Sequence, residues 1–270
     1  MTLHQVPIAN KDKVIIVGAG IGGLASSLRL SHLGYDVKVI ERANSAGGKL
    51  RTITGSTGEI DIGPTVLTLL PIFQKLFKSV GEDIFEHVDL VRQKIIARHW
   101  WPDGTSLDLY DDFETSRDAI MKFSGSSSAI EFEKYFCDTR DLFACFDLPV
   151  MQNPRPSILD MNRAVLSNPK ILSKMHPLRT LSSLLNYKFK DRRLRQLFGR
   201  YATYVGGSPL ESPALLSLVW QAEAQGVWSI KGGMRKLARV IEQLAKSRGA
   251  SFNYGTDNKE FNTKGDRVVS

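Results

Sequence analysis

The run VIIVGAGIGGLASSLRLSHLGYDVKVIER, residues 14–42, constrains the fold more than any other part of the 270-residue chain. Val14-Ile15-Ile16-Val17 is an uninterrupted apolar stretch, the pattern of a strand buried on both faces of a parallel sheet. Gly18-x-Gly20-x-x-Gly23 follows it and opens a helix expected over about 22–32, ended by Gly34. Val37-Lys38-Val39-Ile40 is then the second strand of a right-handed β-α-β unit. In that setting Gly18 allows the tight turn, Gly20 admits a pyrophosphate to the backbone, and Gly23 lets the helix close on the sheet; Gly22 counts with them. The helix N-terminus offers N–H groups and a positive dipole end to phosphates. Glu41, at the end of the second strand, can accept ribose hydroxyls and would repel a 2′-phosphate, which argues against NADP.

The next residues separate two dinucleotides. Arg42-Ala43-Asn44-Ser45-Ala46-Gly47-Gly48-Lys49 places a basic, glycine-bearing loop directly after the ribose acid. Such a loop can lay N–H groups and a cation along an extended FAD, which a simple NAD dehydrogenase does not need. Further on, Pro71 begins a helix closed by Gly81, and Trp100 to Thr105 reads as two strands joined by a Pro-Asp-Gly turn. From Asp111 to about Tyr204 the pattern is mainly helical. Ser212-Pro213 reads as the N-cap and first residue of a helix reaching Gln225. Gly232-Gly233-Met234 opens another helix capped by Gly249, and the last twenty residues read as two strands around Lys264-Gly265-Asp266. The expected fold class is α/β, a Rossmann-type nucleotide-binding domain with an inserted, mainly helical domain. Its expected boundaries are 1–98, 99–230 and a return over 231–270.

The net charge of +8 has one address. Nine Lys/Arg and one acid, Asp191, lie between Lys170 and Arg200, interleaved with Leu178, Leu181, Leu184, Leu185, Phe189, Leu194, Leu197 and Phe198. Two readings stand: helices whose apolar side faces their own core, or an amphipathic surface that meets anionic membrane. No nucleic-acid module accompanies the segment, so no nucleic-acid partner is expected. The two cysteines, Cys137 and Cys145, exclude a disulfide framework and any C-x-x-C site. His4, His32, His87, His99 and His176 show no ligand spacing, so no metal is expected. The first residues lack the apolar core of a secretory signal, and no 18-residue apolar run occurs. The chain reads as cytoplasmic and peripherally membrane-associated.

With these residues in view, the chain resembles the flavoproteins of the amine oxidase and phytoene desaturase superfamily. GAGIGG…ER-x5-GGK is similar to the superfamily's nucleotide motif, in which Arg more often stands where this chain has Lys49. Asp61-Ile62-Gly63-Pro64-Thr65-Val66 resembles the D-x-G-P-T segment of bacterial carotenoid desaturases. Tyr204 to Pro209, Pro213-Ala214-Leu215, Gly226-Val227-Trp228 and Lys231 to Met234 match that branch in order. The tone is that of the hydroxy- or methoxyneurosporene desaturases. The resemblance implies FAD, held by Gly18, Gly20, Gly22, Gly23, Glu41, Arg42, Gly48, Lys49, Gly63, Pro64 and Thr65. It also implies a long apolar polyene substrate, loss of hydride to flavin N5, and oxygen or a quinone as terminal acceptor. No catalytic side chain is identified. Asp61 shapes the loop beside the flavin or stabilises its own turn, and Trp100, Trp101 and Trp228 line a tunnel or pack a core. The family's later glycine-rich flavin motif does not occur before Ser270, so the resemblance implies an N-terminal fragment. Thr256–Lys259 stands where the family presents a Val to adenine. Two alternatives remain open: an amine oxidase-like enzyme with a polar substrate, and a truncated, non-catalytic remnant that binds nucleotide or lipid.

Overall fold

A computed structural model describes residues 12–56, 58–153, 155–256 and 267–269. It divides into two compact units, Met1–Arg92 with Trp228–Ser270, and Gln93–Val227. These junctions precede the boundaries expected after residues 98 and 230. The reason is that Leu90–Arg92 pairs antiparallel with Trp228–Ile230, so both ends of the excursion are held in one ribbon.

In the first unit, β1 (Lys13–Val17), α1 (Ile21–His32) and β2 (Asp36–Ile40) form the β-α-β element. β1 and β2 run parallel, from Lys13 opposite Asp36 to Val17 opposite Ile40. A Cβ on Gly23 would lie 1.9 Å from the Gly18 carbonyl oxygen, so α1 can seat this closely only on a glycine. β3 (Thr52–Gly55) and β4 (Gly58–Asp61) make an antiparallel ribbon. α2 (Leu70–Lys78) begins after Leu69, whose φ of 52° is an unusual, strained conformation for a leucine. α3 (Ile84–His87), capped by the Asp83 carboxylate, and β5 (Leu90–Arg92) complete the segment.

The second unit opens with the hairpin β6 (Ile95–Trp100) and β7 (Ser106–Tyr110), joined through Pro102-Asp103-Gly104 as the sequence implies. Then come α4 (Phe113–Ser124), α5 (Ser126–Phe146), α6 (Ile158–Ser167), α7 (Lys170–Met175), α8 (Leu181–Lys188) and α9 (Arg192–Gly199). Two 3-10 segments, Arg200–Val205 and Ala214–Trp220, lead into α10 (Gln221–Ala224). The core is aromatic: Phe198 stacks on Phe189 at 5.1 Å between centroids and meets the edge of Trp220 at 5.5 Å, with Phe132, Tyr135 and Tyr201 buried around them. Some of the polar atoms this core encloses are matched to one another. Thr139 on α5 accepts from Trp220 Nε1 at 2.9 Å and from Gln221 Nε2 at 2.8 Å.

Two expectations change here. Within 170–200, Leu181, Leu184, Leu185, Phe189, Leu194, Leu197 and Phe198 are all buried in this core, and only Leu178 of the interleaved set is exposed, at 99%. Their spacing serves the unit's own packing rather than a lipid face. Several of the cations are also neutralised: Lys174 and Lys188 both reach Asp138, and Arg193 pairs with Asp191. The Ser212-Pro213 start does not form the expected cap either. The Ala214 N–H donates to the Arg179 carbonyl, and the chain continues as 3-10 helix before turning α-helical only at Gln221.

On return to the first unit, β8 (Trp228–Ile230) pairs with β5, and α11 (Arg235–Ser247), β9 (Ser251–Asn253) and β10 (Arg267–Val269) follow. The parallel sheet has the order β10-β1-β2-β9, so β9 and β10 lie on its opposite edges. The Lys264-Gly265-Asp266 turn and residues 257–259 lie outside the described residues. Val14, Ile16, Val37 and Val39 share a core with Leu24 and Leu28 of α1 and Leu237, Ala238 and Ile241 of α11. Ile15 and Val17, by contrast, are half-buried, so β1 is fully covered on one face only among the described residues.

His99 gives this fold an acid-sensitive point. Its Nε2 is enclosed without a partner, and burial, helped by the nearby Arg200 charge, holds its pKa below the ordinary 6.5. Below pH 6.5 the unfolded chain takes up a proton that the folded imidazole refuses, so stability falls as the pH drops from there toward the folded pKa. Urea melts across roughly pH 5–7 are expected to show that His99→Gln loses less stability on acidification than the parent chain.

Candidate nucleotide-binding site

Two glycine loops build the site. Gly20 caps α1 with extended backbone (φ −71°, ψ 179°), with no side-chain cap and no acid in the first turn. The first N–H groups of the helix therefore have neither an i−4 carbonyl nor a carboxylate against them. The 45–48 loop comes alongside: Gly47 N–H donates to the Ala19 carbonyl at 2.9 Å, and Gly20 and Gly47 bridge in parallel. A Cβ on Gly48, at φ 58°, would lie 2.9 Å from Gly20 Cα. Gly63 abuts the far side of this loop, where its Cβ would meet the Lys49 carbonyl oxygen at 1.9 Å.

The loops form the polar lip of a cleft of about 540 Å³. Gly20, Gly48 and Lys49 lie on that lip, while Pro64, Leu67, Phe73, Met234 and Leu237 supply an apolar wall. Lys49 is exposed and has no carboxylate partner among the described residues. Of the residues singled out from the sequence, Gly20, Gly48, Lys49 and Pro64 thus come together at one cleft. Gly63 braces the lip from behind, Gly18 holds the turn through its N–H to the Ile40 carbonyl at 2.7 Å, and Gly22 is exposed in the first turn of α1. Arg42 and Thr65 are exposed and do not line the cleft.

Glu41 is more deeply built in than its position suggests. Its Oε2 accepts the Ala19 N–H at 2.6 Å and its Oε1 accepts the Ala43 N–H at 2.8 Å, so one carboxylate ties the turn after β1 to the chain after β2. Its own N–H donates to Asn253 on β9, and its carbonyl accepts from Thr256. Each carboxylate oxygen keeps a further lone pair, so ribose hydroxyls can still be received here.

The apolar wall depends on long-range bonds between segments far apart in sequence. Asp61 Oδ2 accepts the Met234 N–H at 2.9 Å, joining β4 to the start of α11 instead of stabilising its own turn, and its Oδ1 is enclosed without a partner. Arg235 donates to Thr52 Oγ1 at 2.8 Å and to Ser45 Oγ at 2.9 Å. Trp228 is half-buried beneath Arg92, Trp101 packs on Phe123, and Trp100 is exposed; the fully buried tryptophan is Trp220. Glu82, Glu86 and His87 bring possible ligand atoms within 4.8 Å of one another, but Arg248 Nη2 lies 2.5 Å from Glu82 and already supplies the cation. The donor-rich lip, single lysine and apolar wall fit the central pyrophosphate of an extended dinucleotide together with one of the flat ring systems at its ends.

Comparisons with known proteins agree with this architecture. A family model described as an NAD(P)-binding Rossmann-like domain matches residues 16–82. The chain is 42% identical over 257 residues to a hydroxyneurosporene desaturase of Cereibacter sphaeroides, covering 95% of this chain and 52% of the relative. It is 41% identical over 261 residues to the hydroxyneurosporene desaturase of Rhodobacter capsulatus, covering 97% and 53%. The chain spans about half the length of the curated relatives it matches. Among solved structures, a putrescine oxidase bound to putrescine superposes with a TM-score of 0.59 at 18% identity, over 90% of this chain and 51% of that one. The chain is therefore homologous to these carotenoid desaturases along the matched region, on an amine oxidase-like fold.

The contact behind the lip is testable by substitution. Gly63→Ala must push the 49–51 backbone away and is expected to cost about 1–3 kcal/mol. Gly22→Ala, whose Cβ would meet nothing within 4 Å, is expected to leave the melting temperature unchanged or slightly raised.

Proposed function

We propose that this chain carries the FAD-binding loops and a substrate-handling helical unit of a carotenoid desaturase that forms C=C from CH–CH in a hydroxylated or methoxylated polyene. The observation that carries the reading is the 42% identity to a hydroxyneurosporene desaturase along nearly the whole chain. The cleft gives it a physical basis, since the glycine loops, Lys49 and the apolar wall stand together. In the proposal the α1 N-terminus and the Gly47-Gly48 loop receive the pyrophosphate, Glu41 receives ribose hydroxyls, and Lys49 neutralises phosphate. Gly18, Gly22 and Gly23 shape the turn, Gly63 braces the lip from behind and Pro64 joins the apolar wall, while Thr65 and Arg42 lie exposed outside the cleft. A bound flavin would supply the electron sink for a hydride leaving the polyene, with oxygen or a quinone as final acceptor. The chain's own part is to bind, orient and exclude water with apolar side chains.

Peripheral contact with an anionic membrane belongs to the same proposal, because a long polyene partitions into lipid. No helix among the described residues is long and apolar enough to cross a membrane. Support for a surface contact moves upstream of α8. Leu148, Ile158, Leu159, Leu166, Leu172 and Leu178 are all exposed, among Arg155, Arg163 and Lys170.

Titration of the protein with FAD, ADP and NADPH tests the nucleotide half of the proposal. Saturable binding of FAD and ADP is expected, with NADPH much weaker, and Gly20→Val is expected to reduce FAD binding at least tenfold because a side chain there blocks approach to the backbone. Absence of FAD and ADP binding overturns it. Chromatography of a hydroxylated neurosporene-type polyene after incubation tests the substrate half separately.

A further inference from the structure

We propose that the cleft between α8 and α9 in the helical unit is a binding site for a phosphate group, held by Arg192 and Arg195. The cleft encloses about 700 Å³ and is lined by both arginines, one turn apart on α9, with Arg200 beyond the helix end. No carboxylate lines it. Its observations are separate from those of the nucleotide cleft, and the inference goes beyond the proposed desaturase reading.

Several neighbouring cations are already paired, and of the cations that line this cleft only these two are not. Lys174, Lys188 and Arg193 each reach an aspartate, and Arg200 reaches Glu223 through Nη2 at 2.6 Å. Arg192 and Arg195 have no carboxylate partner among the described residues. Arg195 is nevertheless held in place: Nη1 donates to Asn186 Oδ1 at 2.8 Å, while its Nε is enclosed and has no acceptor. A fixed guanidinium with an unmet donor, beside a second guanidinium, is a costly arrangement without an anion. Guanidinium N–H groups are the donors that phosphate oxygens pair with best. Leu185 and Pro209 wall the cleft and keep the local dielectric low, which strengthens the field of the arginines, and the Ser182 hydroxyl adds a neutral donor. A phosphate meets this set with several acceptor oxygens and at least one negative charge. The phosphate can come free in solution or as the headgroup of an anionic phospholipid.

Two titrations distinguish the sources. Calorimetry with inorganic pyrophosphate reads the soluble source, and co-sedimentation with vesicles containing phosphatidylglycerol, against phosphatidylcholine alone, reads the headgroup. Saturable binding is expected in at least one arm, weakened by salt, reduced at least tenfold by Arg192→Gln and by Arg195→Gln, and retained by Arg192→Lys. Binding in neither arm overturns the proposal. So does binding that survives both glutamine variants, which would assign it to the nucleotide cleft or to the surface at large. Should Arg195→Gln lower the melting temperature, the exposed Arg192→Gln carries the decision.

Discussion

The backbone-to-backbone contact between the Gly18–Gly23 turn and the Ser45–Gly48 loop is what the nucleotide unit is arranged around. With Gly48 Cβ projected 2.9 Å from Gly20 Cα, and Gly47 bonded to Ala19, the two segments meet backbone to backbone where Gly48 has no room for a side chain. Close-packed backbone leaves unpaired N–H groups pointing outward, and that is what an anion requires. Glu41 then locks the register, because its two oxygens hold the N–H groups of Ala19 and Ala43 at once. The carboxylate proposed to receive a ribose thus also sets the geometry of the loops that flank it, and losing it would loosen the lip.

The helical unit follows a different logic. Its aromatic centre is dense, and the polar groups drawn into it come in matched sets. Glu223, itself buried, accepts from Tyr201 and Arg200 at 2.6 Å each and also from Tyr204. Burial, assisted by that carboxylate, pushes the Tyr204 phenol up to about 12, so that hydroxyl keeps its proton to donate. The set is not complete, because Arg200 Nε, like Arg195 Nε, is enclosed without an acceptor.

Much of this was legible in the sequence, for identifiable reasons. The β-α-β element announces itself because strand, glycines, helix and acid are contiguous and each answers a local steric demand. The β6–β7 hairpin reads equally well, since Pro-Asp-Gly fixes a turn locally. Ambiguity begins where a pattern shows amphipathicity without naming the partner. The leucines of 181–197 have the spacing a lipid face would have, and only three-dimensional packing reveals that they meet Phe132 and Trp220. Asp61 and Met234, 173 positions apart, leave no periodic trace of their bond. Neither does the pairing that places β9 and β10 on opposite edges of one sheet.

That last arrangement bears on how the molecule forms. The sheet begun by β1 and β2 acquires an edge strand, and its core the face of α11, only after residues 93–227 have been synthesised. The helical unit is contiguous and rich in near-neighbour contacts, features that favour rapid folding on its own. Once folded, it draws the ends of its 135-residue insertion toward the β5–β8 ribbon, and the effective loop that the nucleotide unit must close becomes short. On a ribosome, the middle of the chain would therefore act as the clasp that lets its two flanks meet, and the nucleotide cleft would be the last feature to take shape.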